Sequence, residues 1–377
     1  MPLIETHVPE TAILAQAVCG NRDPGEAADS LAELARLADT AGITVAGQVT
    51  QRRAKPDGAT MIGEGKVEEL RGAVADAGAN TVLFDNELNA FQQHNLAKAL
   101  GVRVLDRTEV ILLIFSRRAR SAESKIQVRL AQQEMLLSRI PELEEQQRFA
   151  GAANVRGPGE ARLELRNRPI RRRITELKRQ LDDIRGRAER SRERRRFPEV
   201  CLVGYTNAGK STLLNTLAGA DAYVDDRLFA TLDTKTRQLW LSPSRQALLT
   251  DTVGFIRHLP ASLVASFRST LDVAVHADLL LLVVDASHPY LAEHIAVCRD
   301  TLAKIGAGNV PTLLVVNKCD VENADGVVTR IAETEPSAIP VSAKTGLGLD
   351  TLKANIAAEL KKTCALWKAP QAVGRAK

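Results

Sequence analysis

The sequence predicts an α/β protein with a small N-terminal α/β domain, a long antiparallel helical hairpin and a larger, doubly wound α/β domain. Three observations predict this fold class. Short apolar runs alternate with helical patterns up to about residue 106, an apolar repeat with spacings of three and four follows, and near-continuous apolar runs alternate with helices from Phe197. We expect boundaries at 1–115, 116–196 and 197–362, with a short, frayed tail over 363–377.

The first region has four short apolar runs, TAILAQAV, ITVAGQVT, TVLFD and VRVLD, separated by helical patterns such as EAADSLAELARLADTAG. This alternation is typical of a mainly parallel sheet with flanking helices. Gly42, Gly78 and Gly101 lie where these helices should end, since glycine readily adopts the left-handed conformation that closes a helix.

The second region carries apolar residues at coiled-coil spacing. They are Ile126, Leu130, Leu137 and Ile140 in its first half, and Ile170, Ile174, Leu177, Leu181, Ile184 and Ala188 in its second. The glycines and Pro158 of the intervening FAGAANVRGPGEA cannot continue a helix, so two antiparallel helices joined by a tip loop are predicted. Between Glu160 and Arg196, 15 Lys and Arg stand against 7 Asp and Glu. This excess favours nucleic-acid binding, although such charges also simply solvate long helices.

Cysteine usage and hydropathy point to the cytoplasm. The five cysteines are scattered without a CxxC pair, so neither disulfides nor structural zinc is predicted. The longest apolar run, LLLLVV, is far shorter than the ~20 residues that span a bilayer. We therefore expect a cytoplasmic protein without a membrane span.

The stretch GYTNAGKS, Gly204 to Ser211, fits the phosphate-loop pattern GxxxxGK(S/T) between a strand and a helix. In that setting backbone N–H groups and the helix N-terminus surround phosphate oxygens. Lys210 would reach the β- and γ-phosphates and Ser211 would ligate Mg²⁺. The expected nucleotide contacts of this loop are Gly204, Asn207, Ala208, Gly209, Lys210, Ser211 and Thr212.

Two further stretches predict residues that respond to the γ-phosphate. Asp251 ends the apolar run ALLTD, where a carboxylate can hold the Mg²⁺ shell, and the Gly254 N–H can sense the γ-phosphate. The stretch FATLDTKTR offers Thr231 as a further Mg²⁺ ligand. Thr234 is the alternative, because spacing alone does not discriminate between the two.

NKCD, Asn317 to Asp320, and VSAK, Val341 to Lys344, predict a guanine site. Asp320 can accept both N1–H and the exocyclic amine of guanine, whereas adenine presents an acceptor at N1, so this carboxylate selects GTP and GDP. Lys318 would lie along the base and Asn317 would brace the loop. Ala343, between Ser342 and Lys344, would donate its N–H to guanine O6.

Phe255 follows Gly254, at the place where Ras-like GTPases carry a glutamine that orients the attacking water. A phenyl ring cannot orient water. His258 lies close by in the sequence, and either acts as a base or, more simply, contacts a partner.

Taken together, GYTNAGKST, LFATLD, DTVGFIRHLP and RGPGE, with DRTEVILLIFSRRARSAESKIQVRLAQ upstream, resemble the HflX family of ribosome-associated GTPases. The resemblance implies a Ras-like P-loop GTPase domain after the hairpin domain. It also implies slow GTP hydrolysis that the large (50S) ribosomal subunit stimulates. The hairpin loop would be directed toward the peptidyl-transferase region, and the protein would split stalled or idle ribosomes.

The same resemblance suggests further site residues. Asn207 is similar to an asparagine that holds K⁺ beside the phosphates in related GTPases, and otherwise only braces the loop. The expected catalytic set is therefore Lys210, Asn207, Thr231 and Gly254. Contacts with 23S rRNA phosphates are expected from Arg156, Arg162, Arg166 and Arg171 to Arg173, of which Arg166 replaces a usual acidic residue.

We expect a monomer. Two other functions stay open on the sequence alone: a nucleotide-gated ribosome-binding protein with negligible hydrolysis, and a GTPase of ribosome assembly or RNA modification.

Overall fold

A computed structural model describes residues 10–20, 23–149, 158–193, 197–219, 228–229, 231–257, 268–321 and 324–368. The chain forms two compact units. The first comprises Met1–Arg117 and Val128–Arg179, and the second comprises Arg118–Gln127 and Gln180–Lys377. The boundaries expected from the sequence stay a prediction.

The first unit contains α/β elements that follow one another closely along the chain. They are β1 (Glu10–Cys19), α1 (Pro24–Thr40), β2 (Ile43–Arg53), α2 (Glu64–Asp76), β3 (Thr81–Phe84), α3 (Ala90–Leu100), β4 (Arg103–Asp106) and α4 (Arg107–Arg118). Within the described residues the strands form a sheet in the order β2-β1-β3-β4, and every pair is parallel. The predicted parallel sheet is confirmed.

Local sequence explains these elements. All four residues of the central strand β3 and the six middle residues of β1 are buried, as a sheet covered on both faces requires. Helix α3 begins with a capping box, in which Asn89 and Gln92 each bond the other's backbone N–H. It ends at Gly101, whose φ of 70° is left-handed, as the sequence predicts.

Helix α4 is an element that the apolar pattern alone does not predict. It begins directly after β4 with a second capping box. The Glu109 N–H donates to Asp106 Oδ1 at 2.9 Å, and the Asp106 N–H donates to Glu109 Oε2 at 3.0 Å. The spacing of these acidic residues in DRTE is the sequence signal for the start of this helix.

Two long helices occupy the region of the predicted hairpin, α5 (Ala122–Phe149) and α6 (Pro158–Glu193). The predicted seam is buried at Leu130, Ile174, Leu177 and Leu181. Residues 150–157, with Arg156 of the predicted tip loop, lie outside the described residues. So do the side chains of Arg162 and Arg166.

The second unit contains the larger sheet. Its elements after α6 are β5 (Glu199–Gly204), α7 (Lys210–Ala218), β6 (Lys235–Ser242), β7 (Arg245–Asp251), α8 (Arg268–Val275), β8 (Leu279–Asp285), α9 (Leu291–Ile305), β9 (Thr312–Asn317), α10 (Ala324–Thr334), β10 (Ile339–Pro340), α11 (Leu349–Thr363) and α12 (Ala365–Lys368). The described strands run in the order β10-β9-β8-β5-β7-β6. Only the β6–β7 pair among them is antiparallel.

This sheet places the carboxyl ends of β5, β7, β8 and β9 side by side. Strands β5 and β8 are buried along nearly their whole length. Ligands of open α/β sheets bind beyond these carboxyl ends. The polar residues that end these strands therefore share one edge.

The C-terminal tail differs from the prediction. We expect a frayed tail over 363–377, but α11 continues to Thr363 and α12 follows it over Ala365–Lys368. Cys364 and Trp367 are buried in the core of the second unit. The prediction is wrong up to Lys368 because Cys364 and Trp367 continue the apolar face of α11, at spacings of four and then three residues after the buried Leu360. Residues 369–377 lie outside the described part.

No helix in the described parts of the chain is both long enough and apolar enough to cross a membrane. All five cysteines are free thiols, and Cys201, Cys298 and Cys364 are buried.

Candidate active site

The loop between β5 and α7 has a backbone that glycine makes possible. Gly204 has a φ of 148°, and an added Cβ would lie 2.1 Å from the Val283 carbonyl oxygen. Gly209 has a φ of 87°, and its Cβ would lie 2.2 Å from Asn317 Nδ2. Asn207 is also left-handed, with a φ of 60°. The loop is thus a tight strand-to-helix turn, with the N-terminus of α7 open to an anion.

Lys210 folds back under this loop. Its Nζ donates to the carbonyl oxygens of Gly204 at 3.1 Å and Tyr205 at 2.7 Å, and its side chain is buried. Burial lowers the pKa of Lys210, against the opposing effects of Asp251 and Cys298. The ammonium therefore lies where phosphate oxygens would stabilise its charge.

Three side-chain oxygens converge beside Lys210. Ser211 Oγ donates to Asp251 Oδ2 at 2.6 Å, Thr231 Oγ1 donates to the same oxygen at 2.8 Å, and the two hydroxyl oxygens lie 2.9 Å apart. Asp251 is fully buried, and its Oδ1 has no hydrogen-bond partner in the described part of the chain. Thr234, the alternative to Thr231, is exposed.

This cluster fits a hard divalent cation. Hydroxyl and carboxylate oxygens are the ligands that Mg²⁺ prefers, and a buried carboxylate oxygen without a partner gains most from a nearby positive charge. The residues present therefore suit the Mg²⁺ of a Mg²⁺–nucleotide complex.

The segment after Asp251 touches the phosphate loop through its backbone. A Cβ on Gly254 would lie 2.8 Å from Thr206 Cα and 3.0 Å from Lys210 Nζ, so a larger residue does not fit without rearrangement. The Phe255 N–H donates to the Gly204 carbonyl at 3.0 Å, and the Thr206 N–H donates to the Phe255 carbonyl at 2.7 Å. The Phe255 ring is buried, so it packs in the interior. His258 lies outside the described residues.

Asn317 joins the phosphate loop to the VSAK loop. Its Nδ2 donates to the Ala208 carbonyl at 2.9 Å, and its Oδ1 accepts from the Ala343 N–H at 2.9 Å. Asn317 is buried. The predicted bracing residue thus holds two loops that come from distant parts of the sequence.

Asp320 and Lys318 both have side-chain partners. Ser342 Oγ donates to Asp320 Oδ1 at 2.6 Å, and this hydrogen bond lowers the pKa of Asp320, which keeps the carboxylate ionised as an acceptor. Lys318 has a left-handed φ of 65°, and its Nζ lies 2.7 Å from Asp285 Oδ2. Asp320 is exposed and Lys318 is half-buried at the edge of the sheet.

The comparisons with known proteins agree with this geometry. Three family models match consecutive parts of the chain. Residues 28–116 match "GTP-binding GTPase N-terminal", 118–195 match "GTP-binding GTPase Middle Region", and 199–318 match "50S ribosome-binding GTPase". The GTPase HflX of Caldanaerobacter subterraneus subsp. tengcongensis is 44% identical over 361 residues, which cover 94% of this chain and 81% of that protein.

This chain belongs to the HflX family of GTPases. The GTPase HflX of Escherichia coli strain K12 is 41% identical over 332 residues, which cover 86% of this chain and 77% of that protein. A solved structure, the crystal structure of the SsGBP and GDP complex, has a TM-score of 0.52 and 27% identity, and covers 94% of this chain and 99% of that one. The chain is accordingly a ribosome-associated GTP hydrolase with a Ras-like P-loop domain.

All the residues predicted to bind the nucleotide in this HflX-family protein lie in described segments, at one edge of the larger sheet. Thr212 is half-buried in the first turn of α7, and Lys344 is exposed after Ala343. Asp285, the partner of Lys318, is not among the residues predicted from the sequence. Its signal is available, since Asp285 ends the apolar strand LLLLVVD as Asp251 ends ALLTD.

Proposed function

We propose that this HflX-family GTPase binds the large (50S) ribosomal subunit in its GTP-bound form and dissociates or rescues stalled or idle 70S ribosomes. The match of residues 199–318 to a 50S ribosome-binding GTPase supports the partner. The observation that carries the switch mechanism is the meeting of Thr231, Ser211 and Asp251 in one hydrogen-bonded cluster. Residues joined this way respond together to a metal-bound nucleotide and separate after hydrolysis.

Each residue has a role that follows from its place. Ser211, Thr231 and Asp251 would hold Mg²⁺, which supplies charge neutralisation to the phosphates when it is bound. Lys210 would exchange the carbonyls of Gly204 and Tyr205 for phosphate oxygens, and it would stabilise charge on the transferring group.

Gly254 would donate its N–H toward the γ-phosphate. Phe255 is buried and lacks a polar group, so water must be oriented by a backbone group, by another residue or by the ribosome. The last possibility makes hydrolysis slow in solution and faster on the large subunit.

The guanine site would use Asp320 for the N1–H and amine, the Lys318 stem along the base, and the Ala343 N–H toward O6. Ser342 keeps the Asp320 carboxylate oriented through its 2.6 Å hydrogen bond. Asn317 fixes the distance between this site and the phosphate loop.

Hydrolysis is tested with the pure protein, alone and with isolated large subunits, in K⁺ buffer. We expect strong stimulation by the subunit for the wild type and its loss in Thr231→Ala, because the cluster loses a metal ligand. The matched control is Thr234→Ala, which alters an exposed threonine three residues away. Equal activity of both variants would reject Thr231 as the switch residue.

Splitting is tested by sedimentation of 70S ribosomes. The GTP-bound wild type should shift 70S toward separate 50S and 30S subunits. An accumulation of precursor particles in cells lacking the protein, without splitting in vitro, would favour an assembly function. Tight GTP-dependent binding to the large subunit without stimulated hydrolysis would favour a nucleotide-gated ribosome-binding protein with negligible hydrolysis.

Asn207 is the candidate K⁺ ligand. It is exposed and left-handed, so it sits on the outer side of the phosphate loop, where a cation can approach the phosphates. We expect faster turnover in K⁺ than in Na⁺ for the wild type, and equal turnover for Asn207→Gly, which keeps the backbone conformation and removes the side-chain oxygen. Equal wild-type turnover in both salts would refute the assignment.

The basic face of α6 is the candidate 23S rRNA surface. Arg171, Arg172 and Arg173 are exposed in this helix. If all three meet phosphates, replacing them with alanine should reduce the slope of log affinity against log salt by about 2 to 3. If titrations with the large subunit gave an unchanged slope, these residues would not contact rRNA phosphates. The expected stoichiometry is one monomer per subunit, which the same titrations measure.

A further inference from the structure

Asp233 links the segment that carries Thr231 to the start of helix α5. Its Oδ2 accepts from the Arg120 N–H at 3.0 Å and the Ser121 N–H at 3.2 Å. Its Oδ1 accepts from Ser121 Oγ at 2.6 Å. Three donors from one helix start therefore meet one carboxylate, and all of these residues belong to the second unit.

Ser121 is also the N-cap of α5. Its Oγ accepts from the Ser124 N–H at 3.0 Å, and its carbonyl accepts from the Lys125 N–H at 3.2 Å. The N-terminus of a helix carries partial positive charge, and an anion there stabilises the helix. Asp233 thus holds the first turn of the 28-residue helix α5.

On its N-terminal side, Asp233 follows a residue of the metal cluster, which is formed by the candidate Mg²⁺ ligands Ser211, Thr231 and Asp251. Thr231, two residues earlier, is bonded to Asp251 and lies beside Ser211. Leu232 between them is buried, with an exposed fraction of 2%. Thr231 is held by Asp251, Leu232 by burial and Asp233 by the start of α5. A displacement of Asp233 would therefore move Thr231 as well.

The C-terminal part of α6, which belongs to the second unit, also contacts α8. Arg185 Nε of α6 lies 3.6 Å from Asp272 Oδ2 of α8, the described helix that follows the Asp251–Arg257 segment. Both long helices therefore have a polar contact within the second unit, α5 with Asp233 and α6 with Asp272.

We propose that Asp233 is a positioning residue: it holds Thr231 at the metal cluster by anchoring it to the N-terminal turn of α5, so that nucleotide state is transmitted to the hairpin. This inference rests on the proposed role of Thr231 as a metal ligand. With a γ-phosphate and metal bound, Thr231 is fixed and Asp233 closes on Ser121. After hydrolysis Thr231 is released, and the first turn of α5 loses the hydrogen bonds that Asp233 accepts from Arg120 and Ser121.

The first test is the Mg²⁺ dependence of GTP hydrolysis by the full-length protein without ribosomes. In Asp233→Ala the Mg²⁺ concentration for half-maximal rate should rise about tenfold, the equivalent of one charged hydrogen bond. The rate at saturating Mg²⁺ should stay within about threefold, since Asp233 touches neither phosphate nor metal. Thr234→Ala is the control and should match the wild type.

The second test is amide hydrogen exchange of residues 122–125, compared between a non-hydrolysable GTP analogue and GDP. The wild type should show stronger protection with the analogue. Asp233→Ala and Ser121→Ala should abolish the difference between nucleotides. A merely structural role would instead lower protection equally in both states, which would overturn the proposal.

Asp233→Asn keeps the shape and an acceptor for the Ser121 hydroxyl but lacks the charge, so it should give a smaller change in the same direction. Nucleotide-dependent protection that persists in Asp233→Ala would contradict the inference. If Thr231→Ala leaves the Mg²⁺ dependence unchanged, the proposed metal role itself fails. If Thr231→Ala changes it and Asp233→Ala does not, only the positioning role fails.

Discussion

Asn317→Ala is the substitution whose effect the structure defines best. Truncation removes the donor to the Ala208 carbonyl and the acceptor of the Ala343 N–H, both at 2.9 Å. The residues left behind are buried. Each buried backbone group without a partner costs about 1–3 kcal/mol, so the total is about 2–6 kcal/mol.

Part of this cost falls on folding and part on nucleotide binding, because the bound nucleotide needs both loops in place. An equal division gives about 1–3 kcal/mol for each, which weakens nucleotide affinity about 5- to 150-fold. The same amount lost from the free energy of unfolding lowers the melting temperature by about 2–4 °C per kcal/mol for a domain of this size.

Affinity is measured by titration with a fluorescent GDP analogue at saturating Mg²⁺, and stability by thermal unfolding without nucleotide. Asn355→Ala is the matched control, since Asn355 is exposed in α11 and its amide donates to the Thr351 carbonyl of the same helix. Unchanged affinity and melting temperature in Asn317→Ala would refute the bridging argument. A lower melting temperature with unchanged affinity would mean that Asn317 stabilises the fold but does not contribute to nucleotide binding.

Three further outcomes are expected. Asp320→Asn should lose GTP affinity and gain affinity for XTP, because an amide can donate to the xanthine 2-oxygen, and competition titrations measure both. Burial raises the pKa of Cys298 to about 12, so this thiol should stay unmodified when the native protein is treated with an alkylating reagent at pH 8 and analysed by mass spectrometry. In the same experiment, bound GDP should slow alkylation of the partly exposed Cys319. Gly204→Ala places a Cβ 2.1 Å from a backbone oxygen of β8 and should abolish nucleotide binding, whereas Gly72→Ala, with no atom within 4 Å, should bind normally.

Much of the fold follows from short-range patterns. The glycines of GYTNAGKS fall where the backbone is left-handed or closely packed, and the apolar strands β5 and β8 are buried as their composition predicts. The capping box of α3 and the glycine at its end are likewise encoded within a few residues. Such features depend on backbone sterics and on neighbours along the chain, so the sequence alone predicts them.

The C-terminal helices extend beyond the end that we predict for the larger α/β domain. Cys364 and Trp367 are buried in the core of the second unit, four and seven residues after the buried Leu360, so the helical spacing of α11 extends past the predicted boundary. Their partners come from strands and helices far along the chain. The spacing identifies the apolar face of these helices, but which distant residues cover that face is decided by tertiary contacts.

The sequence by itself determined the identity of the nucleotide motifs, their order and the residue types that contact phosphate and guanine. The tertiary structure alone decided which threonine meets Asp251, which carboxylate meets Lys318 and that Asp233 meets Ser121. These partners are 20, 33 and 112 residues apart in sequence. A hydrogen bond acts over about 3 Å, and only the folded chain brings such distant donors and acceptors within that range.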